Sequence, residues 1–174
     1  QNFASYQIIG WYNASYQFAR SLLAITSAVI IALPLTMARE HVRDPKVVSF
    51  WYFRSVKFMV FIGLPVAVGG TLLADKIIPL FYGKSFTPAV LLFAILIWDI
   101  PLLMYTALSG NLTTAIKREK TAMIIYLMVG GFNTVTNLIL QPTYGVIAAS
   151  IITIGSETVG AALFYILFRQ EFGS

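Results

Sequence analysis

Residues 119–168 read EKTAMIIYLMVGGFNTVTNLILQPTYGVIAASIITIGSETVGAALFYILF. Between Lys120 and Phe168 this stretch carries one formal charge, Glu157. The apolar blocks at about 121–140 and 145–168 flank a Gln141-Pro142-Thr143-Tyr144 turn. At about 1.5 Å rise per residue, some 17 to 25 residues cross a hydrocarbon core of about 30 Å. Each block is long enough to cross as a helix. A backbone in lipid must satisfy its own polar groups, so continuous apolar runs of this length read as helices.

Working outward, three more apolar blocks precede these, at about 12–38, 58–74 and 88–112. The expected fold is an all-α polytopic transmembrane bundle of about five spans, one partial bundle over 1–174. Composition agrees: 58% of the 174 residues are apolar and 11% are charged. Soluble domains carry about 25% charged residues, so disorder and an ordinary soluble enzyme are excluded. No linker divides the chain. It begins with Gln1, which reads as a fragment or a processed chain.

The charges set an orientation. Of 12 Lys and Arg, nine lie in the 39–57 segment (Arg39, Arg43, Lys46, Arg54, Lys57), the 117–120 segment (Lys117, Arg118, Lys120) and the tail (Arg169). The opposite loops hold Lys76 and Lys84. The twelfth, Arg20, falls inside the first span. The bias alternates loop by loop. It places the N-terminus outside and the C-terminus in the cytoplasm of a multi-pass cell-membrane protein. A net charge of +5 therefore reports topology rather than nucleic-acid binding. The 39–57 segment, with Val47, Val48, Phe50, Trp51 and Phe53, reads as partly an interfacial amphipathic helix. The 75–87 segment reads as a short helix or re-entrant element.

Cysteine is absent and the one histidine is His41, so thiolate chemistry and metal-ligand clusters are not expected. Neither a nucleotide loop nor a nucleophile–base–acid set is present, and we expect no enzyme, cofactor or metal site. What stands out is polarity inside the spans. Ionisable groups in a bilayer cost about 3 kcal/mol even on lenient scales and usually face a cavity or a partner helix. Asp99 and Glu157 fall about 16–18 Å from the outer ends of their spans, near the midplane. Asn133, Asn137 and Gln141 repeat every four residues and share a face. Ala149, Thr153, Glu157 and Ala161 form a similar face, and Tyr12, Tyr16 and Arg20, with Gln17 beside them, form a third. These stripes predict a polar cavity shared by three helices. Gly63, Pro65, Gly69, Gly70 and Pro101 are candidate hinge positions, because a membrane proline removes a backbone hydrogen bond.

These features resemble a family. IIGWYNASYQFARSLLAITSAVIIALPLTMAR (8–39), with Gly10, Tyr12, Ser15 and Pro34, is similar to a stretch of the polysaccharide-exporting flippases. These belong to the multidrug/oligosaccharidyl-lipid/polysaccharide superfamily. Residues 63–96 look like the family's next helix, outer segment and following helix. Residues 132–157 resemble its Asn-rich helix, Pro-x-Tyr-Gly turn and small-residue helix, through Pro142, Tyr144, Gly145, Ala148 and Ala149. The chain departs from the usual turn at Val146-Ile147. The resemblance implies part of the C-terminal helical bundle of a transporter that flips a polyprenyl-phosphate-linked sugar by alternating access. Its partners would be the bilayer, that lipid-linked sugar and the remaining helices. It also implies roles: Arg20 for the phosphate, Gln17, Tyr16, Asn133 and Asn137 for sugar hydroxyls, and Asp99 or Glu157 for a coupling ion. The alternatives are a cation-coupled multidrug exporter of the same superfamily, for which two midplane acids argue, and a non-transport membrane scaffold.

Overall fold

The computed structural model describes residues 2–25, 27, 30–32, 34 and 45–172. Every regular element among them is helical. In chain order these are α1 (Asn2–Ser21), a 3-10 turn (Leu22–Ile25), α2 (Pro45–Leu72), α3 (Ala74–Tyr82), a 3-10 turn (Lys84–Phe86), α4 (Ala89–Leu96), α5 (Asp99–Ala115) and α6 (Glu119–Phe172). Two helices, α2 from Lys46 and α6, are long and apolar enough to cross a membrane. There are three if α4 and α5, bent by 41°, count as one. Arg39, Arg43 and His41, and much of the 26–38 part of the first expected span, lie outside the described residues.

A straight helix of 54 residues would be about 81 Å long, far beyond one bilayer. α6 instead breaks at Gly145, where φ is 66° and ψ is −153°. That backbone region is essentially restricted to glycine. The two arms then run back along each other. Asn133 meets Ser156, a Cβ on Gly160 would sit 3.1 Å from Val129, Tyr126 meets Phe164, and Arg118 meets Glu171. Each pair sums to about 289–290, the register of an antiparallel hairpin. The turn read from Pro142 and Gly145 is therefore where the chain reverses.

α2 differs from the expected boundary. The helix begins at Pro45 rather than near 58, so Phe50, Trp51 and Phe53 form its first turns instead of a separate surface helix. Val48, Tyr52, Ser55 and Met59 supply a continuous buried face at helical spacing, and no breaker intervenes. α2 runs on through Pro65, which points outward.

The 88–112 block is interrupted just ahead of Pro101. Proline at position 101 has no N–H to offer the carbonyl of Ile97, and its ring crowds that carbonyl. Trp98 and Ile100 instead make tighter i→i+3 bonds to Ile95 and Ile97. Pro101 itself sits in the first turn of α5, where a missing N–H is tolerated. α2 braces this bend. A Cβ on Gly63 would lie 2.9 Å from Pro101, and one on Gly70 would lie 2.7 Å from the Ile97 side chain. Trp98 Nε1 donates to Thr71 Oγ1 at 3.1 Å from the other side. Gly69 faces open space. The 75–87 segment contains the short helix α3, closed by Gly83 at φ 83°.

Two apolar clusters hold the elements together. Met59, Ile78, Phe93, Ile97, Ile100, Met104 and Leu108 join α2, α3, α4 and α5. Val48, Tyr52, Leu112, Ile125, Phe164 and Phe168 join α2, α5 and both arms of α6. Between helices in lipid such contacts act mainly through packing, since the tails are as apolar as leucine.

Candidate functional site: a polar cavity between three helices

α1 is pinned before it reaches the site. The buried Ser15 hydroxyl donates to Ala89 O and Trp11 O, both at 2.9 Å, and Tyr82 donates to Ala14 O at 3.3 Å. This fixes the rotation of α1. Tyr12 and Tyr16, one turn apart, then face the α6 hairpin with their rings stacked at 5.9 Å and an angle of 10°.

Against them lies a cavity of about 440 Å³ lined by Tyr12, Tyr16, Val129, Gly130, Asn133, Thr134, Thr153, Ser156 and Glu157. It belongs to α1 and the two arms of α6, the three helices whose polar stripes predicted it. Its wall is cross-linked. Asn133 Nδ2 donates to Ser156 Oγ at 2.9 Å, joining the arms. The Tyr12 hydroxyl lies 3.4 Å from Thr153 Oγ1, joining α1 to the second arm. Thr106 Oγ1 donates to Glu157 Oε2 at 3.0 Å, joining α5 to the same arm. Hydroxyls, an amide and one carboxylate therefore line a partly open cleft between α1 and the two apolar arms of α6.

The expected site residues divide by position. Tyr16, Asn133 and Glu157 line the cavity. Arg20 is attached to it through Tyr16: Nη1 donates to the Tyr16 hydroxyl at 2.6 Å, and the guanidinium carbon lies 5.2 Å from the Tyr16 ring centroid. Arg20 is otherwise exposed. Asn137 stands one turn further along, donating to Asn133 O at 3.0 Å and Asn133 Oδ1 at 3.2 Å. It orients Asn133 and does not reach the cavity wall. Gln17 is exposed on α1 and also lies off the wall.

Asp99 is buried at the bend, 3% exposed, and its Oδ1 has no hydrogen-bond partner. Among the described residues no ion pair joins Arg20 to Asp99 or Glu157. Of the two acids, Glu157 stands on the cavity wall and Asp99 does not.

Three polar participants were not singled out from sequence, Thr106, Thr134 and Ser156. Thr106 lies seven residues after Asp99 and so on the same face of α5, and Ser156 precedes Glu157. The spacing of Thr106 from Asp99 was the available signal. Among the described residues no group of His, Asp and Glu is placed to hold a metal ion.

Comparison with known proteins gives one match. The family described as "Polysaccharide biosynthesis protein" matches residues 2–91, just over half of the chain, covering α1 through the start of α4. No curated protein and no solved structure matches it. The matched half includes Tyr12, Tyr16 and Arg20, and α6 supplies the facing wall from beyond it. The chain belongs to the polysaccharide biosynthesis protein family.

Proposed function

We propose that this bundle flips a lipid-linked oligosaccharide across a cell membrane by alternating access. The observation that carries the reading is the cavity itself. It is a hydroxyl- and amide-lined space of about 440 Å³ with an arginine at its edge, held between α1 and the two apolar arms of α6. A sugar headgroup needs such hydroxyl partners to leave water, because each unpaired polar group in an apolar medium costs several kcal/mol. The phosphate that links sugar to polyprenol needs a cation. Arg20, already oriented by Tyr16, offers a guanidinium with free donors beyond the one Tyr16 takes.

In this reading Tyr16 and Asn133 serve the sugar from the cavity wall, Asn137 acts through Asn133, and Gln17 meets the sugar outside the wall. Asp99 and Glu157 take the coupling cation. Gly63, Pro65, Gly69, Gly70 and Pro101 are the hinge set, centred on the bend where Gly63 and Gly70 meet Pro101 and Ile97. The chain crosses the membrane five times, with the α6 hairpin counted as two spans, N-terminus outside and C-terminus in the cytoplasm. It works with the remaining helices of a larger transporter in the inner membrane. It is not an enzyme and does not bind nucleic acid.

The test is translocation in proteoliposomes. The transporter carrying this bundle is reconstituted with a fluorescent lipid-linked oligosaccharide, and the fraction exposed to an impermeant quencher is followed. Protein-dependent redistribution supports the reading; a rate equal to that of empty vesicles rejects it. Glu157 on the cavity wall and the buried Asp99 favour one second reading, export of apolar cations. Dye efflux without lipid redistribution would select it.

A further inference from the structure

The first turns of α2 are not part of the cavity, and their chemistry is unused by it. From Pro45 to Leu72 the helix holds Lys46, Arg54 and Lys57 and no acidic residue. Its inward face is Val48, Tyr52, Ser55 and Met59, all buried. Its outward face presents Phe50, Trp51, Arg54, Lys57, Phe58 and Phe61, all exposed, with Phe61 at 76%. Phe50, Arg54, Lys57 and Phe61 fall at i, i+4, i+7 and i+11, one line along the helix.

Depth decides what this line meets. Residues 58–72 alone would cover about 22 Å, short of the hydrocarbon core of about 30 Å. Arg54 and Lys57 therefore sit at the edge of the hydrocarbon rather than out in water. Phe58 and Phe61 lie on the lipid side of them and Phe50 and Trp51 on the headgroup side, where tryptophan anchors. Among the described residues neither cation has an acidic partner, whereas Arg118 pairs with Glu171 at 3.2 Å and Arg20 is held by Tyr16. Arg54 and Lys57 are one turn apart and can share one phosphate.

We propose that the outward face of α2 at Arg54 and Lys57 is a binding site for the phosphate of an anionic glycerophospholipid, whose acyl chains lie along Phe58 and Phe61. The site stands apart from the cavity and does not depend on the transport reading.

Trp51, one turn from Arg54, is a built-in reporter. The full chain is reconstituted in neutral phosphatidylcholine containing an equal minor fraction of either brominated phosphatidylglycerol or brominated phosphatidylcholine. Trp51→Phe identifies the share of quenching that belongs to Trp51. The brominated anionic lipid is expected to quench as though enriched up to about 25-fold over its bulk share, from two cations at about fivefold each. Raising the salt should shrink the excess in the unaltered chain. Arg54→Gln with Lys57→Gln should abolish it, and the exchange Arg54→Lys with Lys57→Arg should keep it. Equal quenching by the two lipids overturns the proposal, as does an excess that survives the double glutamine change.

Discussion

The Thr106 hydroxyl donates to Glu157 Oε2 at 3.0 Å across 51 positions of sequence, and this bond ties α5, with its bend at Asp99, to the wall of the cavity. A charge change at Glu157 is therefore felt at the bend. Glu157→Gln keeps an acceptor for Thr106, so its cost to stability should stay within about 1 kcal/mol. Transport by this variant should lose its dependence on an ion gradient. Transport assays at varied pH and sodium check this, and an unchanged response removes Glu157 from the coupling role.

Asn133 and Asn137 look alike in sequence and do different work. Asn133 bridges the two arms of α6 through Ser156, while Asn137 bonds within its own helix. Asn133→Ala should lower the unfolding free energy by about 0.6–2 kcal/mol, the range of interhelical hydrogen bonds in membranes. Asn137→Ala should cost less. Reversible unfolding in mixed micelles measures both, and equal losses would contradict the assignment.

Gly145 adopts φ 66° and ψ −153°, which a side chain resists. Gly145→Ala should destabilise the hairpin by about 1–3 kcal/mol, although open space surrounds the position. A thermal shift of the purified chain reads the loss. No shift would mean that the reversal does not need glycine.

Much of this architecture was legible beforehand, and the exceptions have causes. The reversal in α6 was readable because Pro142 and Gly145 stand between two apolar runs. The start of α2 was not, because charges in 46–57 mimic a loop, while the buried line Val48, Tyr52, Ser55, Met59 is visible only at helical period. The break before Pro101 was signalled by the proline but displaced from it, since the clash falls on the carbonyl of residue 97. In the cavity, Glu157, Asn133 and Tyr16 announced themselves as polar groups on apolar faces. Thr106 and Ser156 did not, because hydroxyls on apolar helices usually bond their own backbone. These two do so as well, to Leu103 O and Ile152 O.

The proposed five-span topology has a direct check, helped by the absence of native cysteine. Single cysteines at Thr143, in the α6 turn, and at Lys120, before its first arm, should label from opposite sides of the membrane. An impermeant maleimide should reach Thr143→Cys from outside, and Lys120→Cys only after permeabilisation. Labelling of both from one side would mean that the first arm of α6 does not cross.

The most direct test of the central claim is complementation. The transporter carrying this bundle is expressed in a strain lacking its own sugar-lipid flippase, unaltered and as Arg20→Ala. Arg20 is exposed and among the described residues its side chain bonds Tyr16 alone, so its loss should leave expression intact. Loss of a charged hydrogen bond to the substrate phosphate should lower export about tenfold or more. The account predicts surface polysaccharide restored by the unaltered protein and not by Arg20→Ala at equal membrane levels. Equal restoration by both would contradict the phosphate role of Arg20. No restoration by a well-expressed unaltered protein would contradict flipping of the sugar lipids made by that strain.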